Sequence, residues 1–249
     1  MFNPMNLTDR KILVTGASSG IGRETSILLS KLGAQLVLTG RRKEELEKTL
    51  SFMEGINHLV LPFELSDFDN YKNLFNEACY DDKKLDGLVH CAGIAKTIPL
   101  RILSYELMLE TMKINYFAFL ELVKHYAKKK YSNGGSIVGI SAINAHMPRK
   151  CMSLYAGSKG ALEASIKTLA LELHESKIRI NSVVPGAINT EMAQKYASLV
   201  SIEQVDNILD GQLMSMGNPD DVANVIAFLL SDASKFVTGR HYYVDGGRL

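Results

Sequence analysis

Cysteine, charge imbalance and long apolar runs are all scarce in this chain. Its three cysteines, Cys79, Cys91 and Cys151, lie far apart with no CxxC pair. That argues against a disulfide framework or a bound metal and fits a reducing compartment. The formal net charge is +1, which gives no reason to expect nucleic acid or an anionic membrane as a partner. No apolar run approaches the ~20 residues needed to span a bilayer. The segment Met1 to Lys11 is polar and lacks the apolar core of a signal peptide. A cytoplasmic protein is the expectation. Linkers, low-complexity tracts and internal repeats are missing too, so the 249 residues read as one domain, 1–249, with a full core.

What the chain does contain is an alternation of short apolar runs and helical patterns. Lys11–Thr15 reads as a buried strand and runs into Gly16-Ala17-Ser18-Ser19-Gly20-Ile21-Gly22, followed by a helical pattern from Arg23 to Leu32. Strand, glycine-rich turn and helix start make a phosphate cradle, because glycines admit the anion and the first N–H groups of the helix face it. A glycine turn with no ligand has the same pattern. The spacing, Gly-x-x-x-Gly-x-Gly, is not the Gly-x-Gly-x-x-Gly of the common dinucleotide fingerprint. A second strand, Ala34–Thr39, ends in Gly40-Arg41-Arg42. An acid at this strand end binds a ribose 2′-hydroxyl and an arginine accommodates a 2′-phosphate, so Arg41 and Arg42 favour NADP(H) over NAD(H). The alternative is two surface charges leading into the next helix.

Helix 43–53, strand 57–61, helix 67–79, strand 85–90 and a long helix from about Leu103 to Lys128 continue the alternation. Strand 136–141, helix 153–174, strand 178–184, an apolar-faced helix 221–230 and a last strand 240–244 complete it. Strands separated by helices of this length form a parallel sheet covered on both faces. The fold expected is α/β, a Rossmann-type doubly wound parallel sheet. Its strand ends at Gly16, Gly40, Glu64, Cys91, Ser141 and Pro185 should meet in one crevice.

Within helix 153–174, Tyr155 and Lys159 stand one turn apart on one face. A phenol titrates near ~10 and is a poor base at neutral pH. A neighbouring ammonium favours the phenolate and pulls that value down, so the pair is equipped to move a proton to or from a carbonyl or alcohol oxygen. The spacing alone equally fits a solvated helix face.

In order and spacing, Thr15-Gly16-x-x-x-Gly20-x-Gly22, Asn115, Tyr155-x-x-x-Lys159, Pro185-Gly186 and Thr238-Gly239-x-x-x-x-Val244-Asp245-Gly246-Gly247 together resemble the short-chain dehydrogenase/reductase family over the whole chain. The resemblance implies a cofactor part at about 9–142 and a catalytic and substrate part at about 143–249, with a lid at about 190–216. It implies that Tyr155 exchanges a proton with the substrate oxygen and that Lys159 lowers its pKa and binds the nicotinamide ribose. Asn115 would hold a water linking Lys159 to solvent. Gly16, Ser18, Ser19, Gly20, Ile21, Gly22, Arg41 and Arg42 would bind the phosphates and ribose. Glu64 and Leu65 would contact adenine, and Cys91, Ala92, Gly93 and Ser141 would line the ribose side. Pro185, Gly186, Ile188 and Thr190 would hold the nicotinamide end.

Two departures from the family pattern stand out. His90-Cys91-Ala92-Gly93 replaces Asn-Asn-Ala-Gly, removing side-chain hydrogen bonds of about 1 kcal/mol each. The second touches the chemistry. The family's catalytic serine lies thirteen residues before the tyrosine, where this chain has Ala142 in an ungapped segment, with Pro148 also in family register. Losing one donor to a developing oxyanion costs roughly 10²–10³ in turnover. Ser141, Asn144 or His146 could supply a substitute, or the chain is a cofactor-binding protein with weak or no catalysis.

Substrate choice should rest on 94–103, 142–154 and the lid, whose Met192, Tyr196, Leu199, Val200, Ile202, Leu209, Leu213, Met214 and Met216 suit an aliphatic or ring-shaped carbonyl or alcohol. Packing of an ordinary amphipathic helix accounts for them equally. General similarity suggests a 3-oxoacyl thioester, although Asn133 and Ser176 stand where arginines would help to bind an acidic carrier protein. Sugar, polyol and steroid substrates stay open. The resemblance also implies a homotetramer or homodimer.

Overall fold

Seven strands form one wholly parallel sheet in the computed structural model, which describes residues 3–147, 149–197 and 211–248. They are β1 (Lys11–Thr15), β2 (Gln35–Gly40), β3 (Leu59–Pro62), β4 (Leu85–His90), β5 (Ser132–Ile140), β6 (Ile178–Pro185) and β7 (His241–Val244). Their order is β3-β2-β1-β4-β5-β6-β7, each pair in parallel register. Side chains alternate across the sheet. Leu13, Val37 and Leu88 therefore point to one face, while Ile12, Val14, Leu36, Leu38 and Val89 point to the other.

The helices are α1 (Gly20–Lys31), α2 (Lys43–Ser51), α3 (Tyr71–Ala78) and α4 (Tyr105–Met112). Then come α5 (Ala118–Tyr126), α6 (Ser153–Leu173), α7 (Glu191–Ala197) and α8 (Pro219–Leu230). Phe75 of α3, Phe119 and Leu122 of α5 and Leu162 and Ile166 of α6 cover the first face. Leu29 of α1, Leu46 of α2 and Val222 and Ile226 of α8 cover the second. The start of α8 is written in its sequence. Pro219 fills the first helical position, where no N–H is needed, and the Asp221 carboxylate accepts the Asn218 N–H at 2.8 Å.

The structure moves several expected boundaries, each for a local reason. β3 starts at Leu59 rather than 57 because Asn57 takes φ 64°, outside the extended region. The start of α3 shifts from 67 to Tyr71, since 67–70 form a turn in which the Asn70 amide donates to Asp67 at 2.7 Å. β5 begins early, at Ser132, and passes a register shift against β4. There Gly135 has φ 113°, and a Cβ on it would lie 2.1 Å from the Asp86 carbonyl oxygen. The long helix expected over 103–128 is two helices, α4 and α5, joined by a π turn at Lys113–Phe117. Asn115 sits inside that turn, fully buried. Such turns inside helices are frequent at functional sites.

Candidate active site

The strand order reverses between β1 and β4, and an open sheet of this kind leaves a crevice at that point. The crevice holds a cleft of about 510 Å³. The residues expected to bind phosphate, ribose and adenine line it, from Gly16 and Ser18–Gly22 through Arg41, Arg42, Glu64 and Leu65 to Cys91–Gly93, and so does Thr190; Ser141, expected on the ribose side, does not. The glycine turn is packed to contact. A Cβ on Gly22 would sit 2.2 Å from the Gly16 carbonyl oxygen, and one on Gly16 would meet Ala92 N at 2.7 Å. Arg23 and Thr49, not singled out in the sequence, brace this turn from behind. Arg23 donates to the Ser18 carbonyl at 2.5 Å and Thr49 to the Ala17 carbonyl at 2.8 Å.

No carboxylate lies in the first turn of α1, so the N–H groups there face the cleft with their partial positive charge uncompensated. At the end of β2, Arg42 donates to Ser18 Oγ at 3.4 Å and stands 3.7 Å from Glu191. Arg41 stands 3.8 Å from Glu64. These are exposed pairs of small individual worth, and a bound phosphate can displace either carboxylate.

A smaller cavity of about 180 Å³ adjoins the cleft and shares Ile21, Cys91 and Gly93 with it. Tyr155, Lys159, Ser141, Pro185, Gly186 and Ile188 line it, so the structure brings both halves of the expected site to one crevice. Lys159 is 3% exposed, donates to the Ile140 carbonyl at 2.7 Å and lies 5.9 Å from the Tyr155 ring centre. Burial pulls its ammonium down to about 8, against the opposing pull of Cys91 and Glu163. Burial also pushes the Tyr155 phenol up to about 12. This corrects the expectation from spacing, which had the ammonium lowering the phenol. Burial sets the direction here. Burial likewise holds the Cys91 thiol up at about 12, so it faces both cavities as a neutral group.

Asn115 lines neither cavity. Its side chain accepts from Ile94 N at 2.8 Å and donates to Ile94 O and to Ser158 Oγ, both at 2.9 Å. The residue thus ties the loop after β4 to α6, one residue before Lys159. Both amide hydrogens are used on protein acceptors, so a water held here would have to bind a carbonyl oxygen.

The end of β5 decides what replaces the serine. Ala142 lines the small cavity. The preceding hydroxyl, on Ser141, donates to the buried carboxylate of Glu163. The other Glu163 oxygen pairs with His146 Nε2 at 2.7 Å, and His146 reaches Tyr243 at 3.2 Å. Ser141 and His146 are therefore committed away from the cavity. Asn144 lines it and makes no side-chain hydrogen bond among the described residues. Glu163 was missed in the sequence. Its signal was an acidic residue four past Lys159, beside Leu162 and in line with Ile166 on a face that is otherwise buried. Met192 lines both cavities, whereas Pro148 and the lid residues Leu199, Val200, Ile202 and Leu209 lie outside the described residues.

A family model described as enoyl-(acyl carrier protein) reductase matches residues 16–248. A solved short-chain type dehydrogenase/reductase from Mycobacterium ulcerans superposes with a TM-score of 0.89 at 31% identity, covering 98% of this chain and 90% of that one. The chain belongs to the short-chain dehydrogenase/reductase family. As a member it is an oxidoreductase working between carbonyl and alcohol. The 3-oxoacyl-acyl-carrier-protein reductase of Thermotoga maritima is 33% identical over 98% of this chain and 99% of its own length. The glucose 1-dehydrogenase of Gluconobacter oxydans is 32% identical over 96% and 91%. Relatives this alike act on different compounds, so the family is decided and the substrate is not. No helix among the described residues is long and apolar enough to cross a membrane.

Proposed function

We propose that this protein is an NADP(H)-dependent reductase of a small apolar carbonyl compound, or dehydrogenase of the corresponding alcohol. One observation carries the reading. The small cavity that presents Tyr155 and Lys159 opens into the glycine-turn cleft, at whose other end Arg41 and Arg42 stand. The donors fit the cofactor. N–H groups at the start of α1 suit a pyrophosphate, the two guanidiniums suit a 2′-phosphate, and Pro185, Gly186, Ile188 and Thr190 frame the far end. Bound there, the dihydronicotinamide would supply hydride to the carbonyl carbon. The protein's own part is the proton. Tyr155, kept protonated by burial, gives its hydrogen to the substrate oxygen, and Lys159 stabilises the phenolate left behind. Ile140, Ala142, Ile143, Met152 and Met192 make much of the wall apolar beside Asn144, Arg149 and Thr190, which favours an aliphatic or ring-shaped substrate over a heavily hydroxylated one.

The test is loss of NADPH absorbance with a panel of ketones and acyl thioesters. Tyr155→Phe should reduce turnover by about 10²–10⁴ while leaving NADPH affinity, followed by fluorescence, within threefold. NADH should bind at least tenfold more weakly than NADPH. Ala142 motivates a second reading, a cofactor-binding protein without turnover. NADPH binding with no reduction across the panel, and no difference in the Phe variant, would establish that reading instead.

A further inference from the structure

Replacing the family's serine by Ala142 leaves a carbonyl oxygen in the small cavity without its expected hydroxyl donor. The cavity's remaining polar groups are few, and the structure accounts for most of them. Ser141 gives its hydrogen to Glu163, and Lys159 donates to the Ile140 carbonyl. Thr190 Oγ1 accepts the Ala193 N–H at 3.2 Å and leans on the Ile188 carbonyl at 3.5 Å. Cys91 is a neutral thiol and a weak donor. His146, the other candidate from the sequence, is held by Glu163 and Tyr243.

Asn144 is different. It lies two residues past Ala142 in the 3₁₀ turn Ile143–Ala145, closed by the Ala145 N–H on the Ala142 carbonyl at 3.0 Å. That turn keeps Ala142 and Asn144 on the same cavity wall, with Tyr155 also lining the cavity. The Asn144 amide has no partner among the described residues, in a cavity otherwise walled largely by apolar groups. The residue is half-buried, so its amide is free to turn to an acceptor carried in by the ligand.

We propose that the Asn144 side-chain amide donates the hydrogen bond to the substrate oxygen that Ala142 does not, making Asn144 a catalytic residue of this chain. The inference rests on the carbonyl-reductase reading above. As the carbonyl carbon is reduced, the C=O π pair moves onto oxygen. Tyr155 gives that oxygen its proton, and the amide keeps both of its own hydrogens throughout. An amide does this work as well as a hydroxyl wherever its N–H meets the oxygen as charge develops.

The experiment uses the full chain and a ketone from the panel that the wild type reduces. Asn144→Ala should lower kcat by about 10²–10³, with NADPH affinity unchanged. Ala142→Ser alone should gain less than tenfold, because a donor is already in place. Ala142→Ser combined with Asn144→Ala should recover to within tenfold of wild type, which a merely structural role for Asn144 would not produce. In the dead-end complex of wild type with NADP⁺ and the ketone, the infrared carbonyl stretch should fall below its value in the Asn144→Ala complex. Turnover of Asn144→Ala within threefold of wild type overturns the proposal and leaves the reductase reading standing. So does a loss confined to Arg149→Ala, the cationic neighbour that also lines the cavity. A wild type that binds NADPH yet reduces nothing on the panel overturns both.

Discussion

Two neighbouring strand ends, those of β4 and β5, each carry a departure from the family pattern, and the fold meets them differently. At the end of β4, His90 stands where an asparagine is usual. Its Nδ1 lies 3.0 Å from the Thr15 hydroxyl, which itself accepts the Ala92 N–H at 3.2 Å. The two are paired in whichever direction the imidazole tautomer sets, because a hydroxyl that accepts one hydrogen can accept a second or donate its own. Burial and the Lys159 charge hold that ring down at about 3, so it is a neutral brace. At the end of β5 the lost hydroxyl faced a cavity, and the adjacent Ser141 hydroxyl is turned to Glu163 instead. A brace has protein on both sides, and either side can shift to meet a new residue. A group that faces substrate has protein on one side only, so its loss is made good from another point on the cavity wall or not at all.

Lys159 donates to the Ile140 carbonyl at the end of β5 and its charge acts on His90 and Cys91 at the end of β4, and that charge gives the comparison its largest test. Its folded value of about 8 lies below the ordinary 10.5. Below pH 8 the folded and unfolded chains both hold the proton, and the burial cost of the ammonium is present in full. Between about 8 and 10.5 the unfolded chain binds more protons, so stability rises with pH. The whole rise is worth up to about 3 kcal/mol. Lys159→Met should therefore be more stable than wild type at pH 7, and the difference should close by pH 10.5. Urea unfolding of both proteins across that range measures it. A difference that stays constant with pH would show that the ammonium is better solvated than its burial implies, and would weaken the contrast between the dry end of β4 and the charged end of β5.

The carboxylate at β5 gives the next effect in size. Glu163→Ala takes the acceptor from the buried Ser141 hydroxyl and from the exposed His146, and leaving the one buried donor unmet costs on the order of 2 kcal/mol. Glu163→Gln keeps an acceptor in place and should lose less than half of that. The midpoints of urea unfolding compare the two directly. Equal losses would mean that side-chain volume, and not these hydrogen bonds, is what Glu163 contributes.

The same contrast marks what could be read in the chain without its fold. Seven strands, their parallel pairing and the glycine turn follow from local pattern, because period and punctuation are local properties. The π turn does not. Lys113-Ile114-Asn115-Tyr116-Phe117 is unremarkable as helix, and the reason for the extra width is the tie from Asn115 to Ile94 and Ser158, 43 residues away in the second case. The pairing of Ser141 with Glu163 spans 22 residues and was equally invisible. The sign of the Tyr155 shift was misread for a related reason. Helical spacing gives the distance to Lys159 but says nothing of how much water either group keeps.

His90→Asn is the smallest and most specific test. The change restores the family's residue at β4, yet it should destabilise this protein by about 1 kcal/mol. Thr15 loses its imidazole hydrogen-bond partner, and the Phe119 ring, 5.7 Å from the imidazole centre, loses a packing partner. Turnover should stay within tenfold, because His90 is fully buried and lines neither cavity. Unfolding in urea and steady-state rates on the same preparation separate the two effects. A gain in stability would show that the family's asparagine is the better brace even here. A hundredfold loss of turnover at unchanged stability would show that the end of β4 reaches the reacting atoms after all, through the Ala92 N–H that Thr15 holds, and the distinction between a brace and a substrate-facing group would fall with it.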